Sequence, residues 1–259
     1  MKKFFYTVIL LSLITLPACR SEGSSNDYPD DPIVAETSIP EEKNYTINDD
    51  NIEKLQASML KKIDLTASEL PEDALDTPDD WTVFTQNKVS LKLPPDSVKG
   101  EYMEEETYDF TYGGLSGKVF IDETSDESET VLNTMFETMG DDFKTAFDEF
   151  GMDYDGTMRS VYKNLLTLTS EDIENSDKDT KNTLSPLGAS LMFFKKAYIL
   201  EKDGMDIFIF KMSNTFDIEE MTTYSVSIFD ADGNEYSSSI CCNDEDTALK
   251  IAVTADIAE

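Results

Sequence analysis

From Val89 the chain alternates apolar and polar, with Val89, Leu91 and Leu93 set against Ser90 and Lys92, until Pro94 and Pro95 stop the run. A period of two places one face on a core, so this is predicted as a strand. Tyr108, Phe110 and Tyr112 repeat the pattern against Asp109 and Thr111, Gly113 and Gly114 supply a turn, and Leu115 to Asp122 runs back as the partner strand. The period then lengthens. Val131, Leu132, Met135, Phe136, Met139, Phe143, Phe147 and Phe150 recur at helical spacing behind the capping pair Thr124 and Glu127, and Gly151 ends them. Residues 158 to 168 fit helix or strand equally, and "EDIENSDKDTKNTLSP" reads as a polar excursion. Two further hairpins follow, Ala197 to Lys202 with Met205 to Met212 about Asp203-Gly204, and Tyr224 to Phe229 with Glu235 to Cys241 about "DADGN". "IFIF" at Ile207 to Phe210 is apolar on both sides of the pleat, which requires cover above and below. Asn243 is placed to cap a last helix with Ala248, Leu249, Ala252, Val253 and Ile257 turned inward.

Hairpins, a long helix, further hairpins and a closing helix define an α+β fold, an antiparallel sheet with amphipathic helices packed on it, over residues 80–259. That length suffices for one core. Upstream, Asp50 and Glu53 form a capping-box pair, and Ile52, Leu55, Met59 and Ile63 share one face, predicting an amphipathic helix over 48–70 closed by Pro71. Residues 19–47, rich in Ser, Asp, Glu and Pro, bury too little to offset ordering entropy and are predicted as an acidic flexible tether.

The first 18 residues change the picture. Lys2 and Lys3 precede a 15-residue apolar run from Phe4 to Ala18, too short to span a bilayer and suited to a signal peptide. Its end, Leu16, Pro17, Ala18 and Cys19, resembles the bacterial lipobox, in which the cysteine sulfur receives a diacylglyceryl group and the acylated end holds the protein on the extracytoplasmic face of the cell membrane. An ordinary signal cleaved after Ala18 would leave Cys19 without that role.

Composition narrows the chemistry. The chain holds 54 acidic and 21 basic residues, a formal charge of −33; two lysines leave with the signal, so the mature chain carries 19 − 54 = −35. Nucleic acid is excluded as a partner, because counterion-release binding needs clustered Lys and Arg. Basic proteins, cations and neutral glycans fit that charge better. Histidine is absent, which removes Ser-His-Asp and Cys-His catalysis and imidazole-dependent zinc sites. Carboxylate pairs such as Asp122 with Glu123, or Asp153 with Asp155, arise by chance in so acidic a chain. Cys241 and Cys242, adjacent on a strand, point to opposite faces and read as one buried and one near-surface side chain, with a strained vicinal disulfide as the alternative.

Two weak candidate sites remain. "DADGNEYSSSIC" begins like a calcium loop, with Asp230, Asp232 and Asn234 at the first, third and fifth places, then departs from it at Glu235 and Cys241; a β-turn accounts for the same residues. The aromatic stripe Tyr108, Phe110 and Tyr112, with Trp81 near, is a stacking platform for a sugar or peptide ring if exposed, and core if Asp109 and Thr111 face water. No cofactor is expected, weak calcium binding apart.

The succession "VSLKLPPD", a hairpin ending "KVFID", a helix, two hairpins and the terminal "EDTALKIAVTADI" helix is similar to the PsbP-like α/β/α sandwich domains of secreted and lipid-anchored proteins. That resemblance spans 83 to 257 and implies an accessory or binding role. The resulting expectation is a non-catalytic, lipid-anchored envelope protein that binds or scaffolds a protein or glycan at the cell surface. The alternatives are a carboxylate-dependent hydrolase of envelope glycans and a structural acidic lipoprotein without a small ligand.

Overall fold

The structure, a computed structural model, describes residues 66–102, 105–121, 139–191, 194–212 and 221–258. Cys19, the tether and most of the helix predicted over 48–70 lie outside them, as does the predicted long helix up to residue 138, with its capping pair Thr124 and Glu127.

The fold is α+β. Among the described residues eleven strands arise in chain order, the first and last of two residues each: β1 (Ala67–Ser68), β2 (Thr82–Gln86), β3 (Val89–Leu93), β4 (Val98–Tyr102), β5 (Glu105–Tyr112), β6 (Leu115–Ile121), β7 (Phe194–Lys202), β8 (Met205–Met212), β9 (Thr222–Phe229), β10 (Glu235–Cys242) and β11 (Asp256–Ile257). Between β6 and β7 lie the helices α1 (139–149), α2 (Met158–Leu165), α3 (Ser170–Asn175) and α4 (Lys178–Leu191); α5 (Glu245–Val253) follows β10. Eight strands form one sheet in the order β1-β7-β8-β9-β10-β6-β5-β4, antiparallel apart from the parallel β1–β7 pair. A second sheet, β11-β3-β2, covers part of one face.

Three two-residue turns set the register, two of them foreseen in the sequence. Gly113 and Gly114 (φ 58° and 89°) and Asp203 and Gly204 (φ 50° and 82°) take the left-handed pair that a two-residue hairpin requires. Asn87 and Lys88 do the same (φ 48° and 67°) and join β2 to β3, a hairpin the sequence does not advertise.

β8 answers the requirement that "IFIF" be covered twice. Ile207 and Ile209 join one core with Val89, Leu91, Tyr224, Val226 and α5; Phe208 and Phe210 join the other with Phe143 and Phe147 of α1 and Val161 and Leu165 of α2. All four β8 side chains are buried; burial of each is worth about 1.5–3 kcal/mol. The molecule is therefore layered: α1–α4, the large sheet, then α5 with the small sheet.

Several expectations need correction. Ala67 and Ser68 are strand, not the end of a helix reaching residue 70: beyond Ile63 the apolar period lapses, and the Ala67 amide donates to the Leu166 carbonyl at 2.9 Å. The polar excursion is helical. Thr169 and Asp172 form a reciprocal capping box at the start of α3, and Ile173 and Leu184 supply sparse but fully buried anchors. Residues 158–165 are helix, with Thr157 as cap. Asp244, not Asn243, caps α5, accepting from the Thr247 amide at 2.8 Å. Asn243 instead ties β10 to the β5–β6 turn, accepting from the Ser116 amide (2.8 Å) and donating to the Gly114 carbonyl (3.1 Å). Ile257 belongs to β11 rather than to that helix. Cys241 and Cys242 are both buried, where one near-surface side chain is expected from the sequence; Cys242 is a free thiol packed on the α5 side, and burial pushes its pKa up.

Candidate functional site

An open groove of about 580 Å³ lies outside the helical layer. Its walls come from α1 (Lys144, Asp148), the 150–157 loop (Asp153, Tyr154, Asp155) and α2 (Arg159, Ser160, Lys163). Local rules place these residues. In α1, Ala146, Phe143 and Phe147 take the core, which turns Lys144 and Asp148 outward as an i, i+4 ion pair at 2.8 Å. Gly151 and Gly156 (φ 68° and 87°) bend the loop back. Asp155 then accepts from the Thr157 amide (3.0 Å) and hydroxyl (2.5 Å), Thr157 caps α2 by accepting from the Ser160 amide at 3.2 Å, and Asn164 donates to the Asp153 carbonyl at 2.9 Å. Those donors hold the Asp155 carboxyl below its usual value although burial works the other way.

Arg159 and Lys163 are four residues apart on one face of α2, and both converge on Asp206 of β8. Asp206 is 1% exposed. It accepts from Arg159 Nε and, at 2.8 Å, from Lys163 Nζ, which also reaches Glu201 at 3.1 Å. Burial opposes the Lys163 charge, and the two carboxylates more than restore it, so its pKa stands above the ordinary value. A guanidinium held through Nε keeps its terminal nitrogens as donors for a second group, and Arg159 lines the groove with a side chain that is 27% exposed.

Tyr154 forms the other wall. Its ring packs on Phe143 and Phe147 at 6.1 and 5.8 Å. Its hydroxyl is buried and has no hydrogen-bond partner among the described residues, and burial, with the nearby Asp155 charge, pushes its pKa up to about 12. The groove thus combines an anchored cation with the exposed Asp153 carboxylate, along a wall whose hydroxyl is sealed from solvent. This is chemistry for holding a polar ligand that brings both acceptors and a cationic group.

A second titratable feature lies apart from it. Burial raises the Glu235 carboxyl to about 7, against a bond from Ser227 that lowers it. Tyr162 sits beside it electrostatically, edge-on to Phe208, Phe210 and Phe229 at 5.4, 5.5 and 6.0 Å.

The residues singled out from sequence fall elsewhere. Tyr108 and Phe110 are buried in the core between the two sheets, Tyr108 against Phe84 at 5.0 Å, and present no ring face to solvent. Tyr112 is 42% exposed, and Trp81 is partly buried against the same core; the four do not form one platform. Asp230, Asp232 and Asn234 are brought together in the β9–β10 turn, where Asp230 Oδ1 accepts from the Asp232 and Asn234 amides (2.9 and 2.8 Å) and Oδ2 from Asn234 Nδ2 (2.8 Å). Those donors keep the Asp230 carboxyl below its usual value against the effect of burial. Among the described residues no three His, Cys, Asp or Glu side chains gather as metal ligands.

Sequence reading passed over the groove, although one signal pointed to it: apart from Arg20, Arg159 is the chain's only arginine. Compared with protein families, curated proteins and solved structures, the chain matches none.

Proposed function

We propose that this is a non-catalytic, lipid-anchored binding protein of the cell envelope, held on the extracytoplasmic side through Cys19, whose groove beside α2 takes a polar segment of a protein or a glycan at the cell surface. The observation that carries the reading is Arg159, immobilised by the buried Asp206 while lining an open groove. An arginine fixed in this way presents its remaining donors in a set geometry at little further entropic cost. The groove volume of about 580 Å³ falls in the range of ligand sites. Asp148, Asp153 and Asp155 on its rim favour a ligand with a basic group, in keeping with the charge of −33. The lipobox-like Leu16-Pro17-Ala18-Cys19 supports the anchor.

Two experiments test this reading. Cys19→Ala should move the protein from the membrane to the soluble fraction, and unchanged membrane retention removes the anchor. A panel of envelope peptides and sugars, matched for ionic strength, should contain a member that raises the thermal midpoint of the wild type by mass action and leaves that of Arg159→Ala unmoved. An equal rise in both variants places the ligand elsewhere, and cleavage of a panel glycan would replace binding with hydrolysis.

A further inference from the structure

The 150–157 loop runs antiparallel to α2 along the groove. The Asp155 amide meets the Ser160 hydroxyl at 3.4 Å, and the Asp153 carbonyl accepts from Asn164 Nδ2 at 2.9 Å. Asp153 therefore stands beside residue 164, five positions beyond Arg159, an axial offset of about 7.5 Å at the rise of an α-helix.

Most charges around the groove are already matched. Lys144 pairs with Asp148 at 2.8 Å, Asp155 is occupied by Thr157, and Lys163 lies between Asp206 and Glu201. Two groups are left over. Arg159 spends Nε on Asp206, and no described residue engages its terminal nitrogens. The exposed Asp153 carboxylate accepts no hydrogen bond from any described residue.

These two groups define a ligand by its charges and their spacing. The terminal nitrogens of a guanidinium form a planar fork that matches a carboxylate. Asp153 calls for an ammonium or a guanidinium. A free α-amino acid carries both charges on one carbon and is too short to reach across the offset, whereas the side chain of a terminal Lys or Arg sets its cation several bonds from the carboxylate. A phosphate or sulfate without a cation leaves Asp153 unmatched in a chain of charge −33, and a neutral glycan leaves both groups unmatched.

Taking the groove as the ligand site, we propose that it receives the carboxyl terminus of a peptide ending in Lys or Arg, with the terminal carboxylate on Arg159 and the basic side chain on Asp153.

The test is fluorescence anisotropy of an amino-terminally labelled Gly-Ser peptide ending in Lys with a free carboxylate, titrated with the full-length protein in detergent. Binding should weaken by about tenfold or more when the carboxylate is amidated, when norleucine replaces the lysine, and in Arg159→Ala or Asp153→Asn. Because the Asp153 carboxylate is exposed and unbonded, Asp153→Asn should keep the wild-type thermal midpoint and report on binding alone, whatever Arg159→Ala does to stability. The proposal is overturned if the peptide does not bind, or if amidation, norleucine or Asp153→Asn changes affinity by less than about twofold. Should the Lys peptide fail while a member of the envelope panel binds the wild type and not Arg159→Ala, the groove stands as the site and only this ligand class falls. Should nothing bind in an Arg159-dependent way, both fall together.

Discussion

Replacing Asp206 by Asn or Ala strips the common partner from Arg159 and Lys163. Removing one member of a fully buried ion pair costs about 3–5 kcal/mol, since the opposite charge stays behind in a poor dielectric. Here the cations are not sealed in: the Arg159 and Lys163 side chains are 27% and 36% exposed, and Lys163 keeps Glu201. Both can turn toward the groove and recover hydration, which brings the expected loss to about 2–3 kcal/mol. For a domain of this size that corresponds to a midpoint lower by about 4–12 °C. Urea unfolding followed by Trp81 fluorescence and by far-UV circular dichroism gives the free energy directly. Asp206→Asn keeps the volume and removes the charge, so it should lose nearly as much as Asp206→Ala. Asp206→Leu combined with Arg159→Met and Lys163→Met should recover most of the deficit. The reasoning fails if Asn and Ala both stay within about 0.5 kcal/mol of the wild type, because the buried carboxylate would then contribute nothing beyond its shape.

Gly117→Ala should be the most damaging small substitution in the large sheet: a Cβ there would meet Phe110 Cζ at 2.3 Å and the Cys241 carbonyl at 2.5 Å. A loss of about 3 kcal/mol or more is expected in chemical denaturation, and a neutral result would mean that β5 and β10 shift freely. Glu235 titrates near 7 when folded against an ordinary 4.5, so the native state binds the extra proton between those values. Stability from this group is fully present below the lower value, falls as pH rises through the window and is level above it. Glu235→Gln should therefore gain on the wild type across that interval, and parallel stability–pH curves for the two proteins would disprove the assignment. Asp244→Ala removes the α5 cap and should cost about 1 kcal/mol by urea unfolding, whereas the same loss from Asn243→Ala should appear as faster amide exchange at Ser116 with α5 intact.

Legibility in the sequence followed the strength of local signals. "IFIF" showed that β8 is covered twice, and Gly113-Gly114 and Asp203-Gly204 announced their hairpins, because backbone conformation there depends on side chains next in line. The β2–β3 turn was hidden because Lys88 takes a left-handed conformation without being a residue that announces one. α3 and α4 were hidden because tertiary burial of few anchors, Ile173 and Leu184 among them, outweighs a polar surface. The aromatic stripe was correctly ambiguous: alternation fixes that Tyr108 and Phe110 share a face, but what covers that face is settled by β3, distant in pairing. The groove was least legible. Asp206 and Arg159 are 47 residues apart, and Asp206 reads locally as one polar position in a strand pattern. Only the scarcity of arginine marked its partner.

The seam between β6 and β10 sets the order in which the large sheet can be completed. Ile121 pairs with Ser238 and Gly117 with Cys242, so the two halves of the sheet join across more than a hundred intervening positions. A ribosome delivers β4, β5 and β6 long before β10 exists, and during that interval β6 has a neighbour on one side only. The hairpins β7–β8 and β9–β10 carry short loops and close first once made, since short-range closure costs least entropy. The carboxyl-terminal half therefore becomes the template, and the earlier-synthesised half is the part that waits to be captured by it.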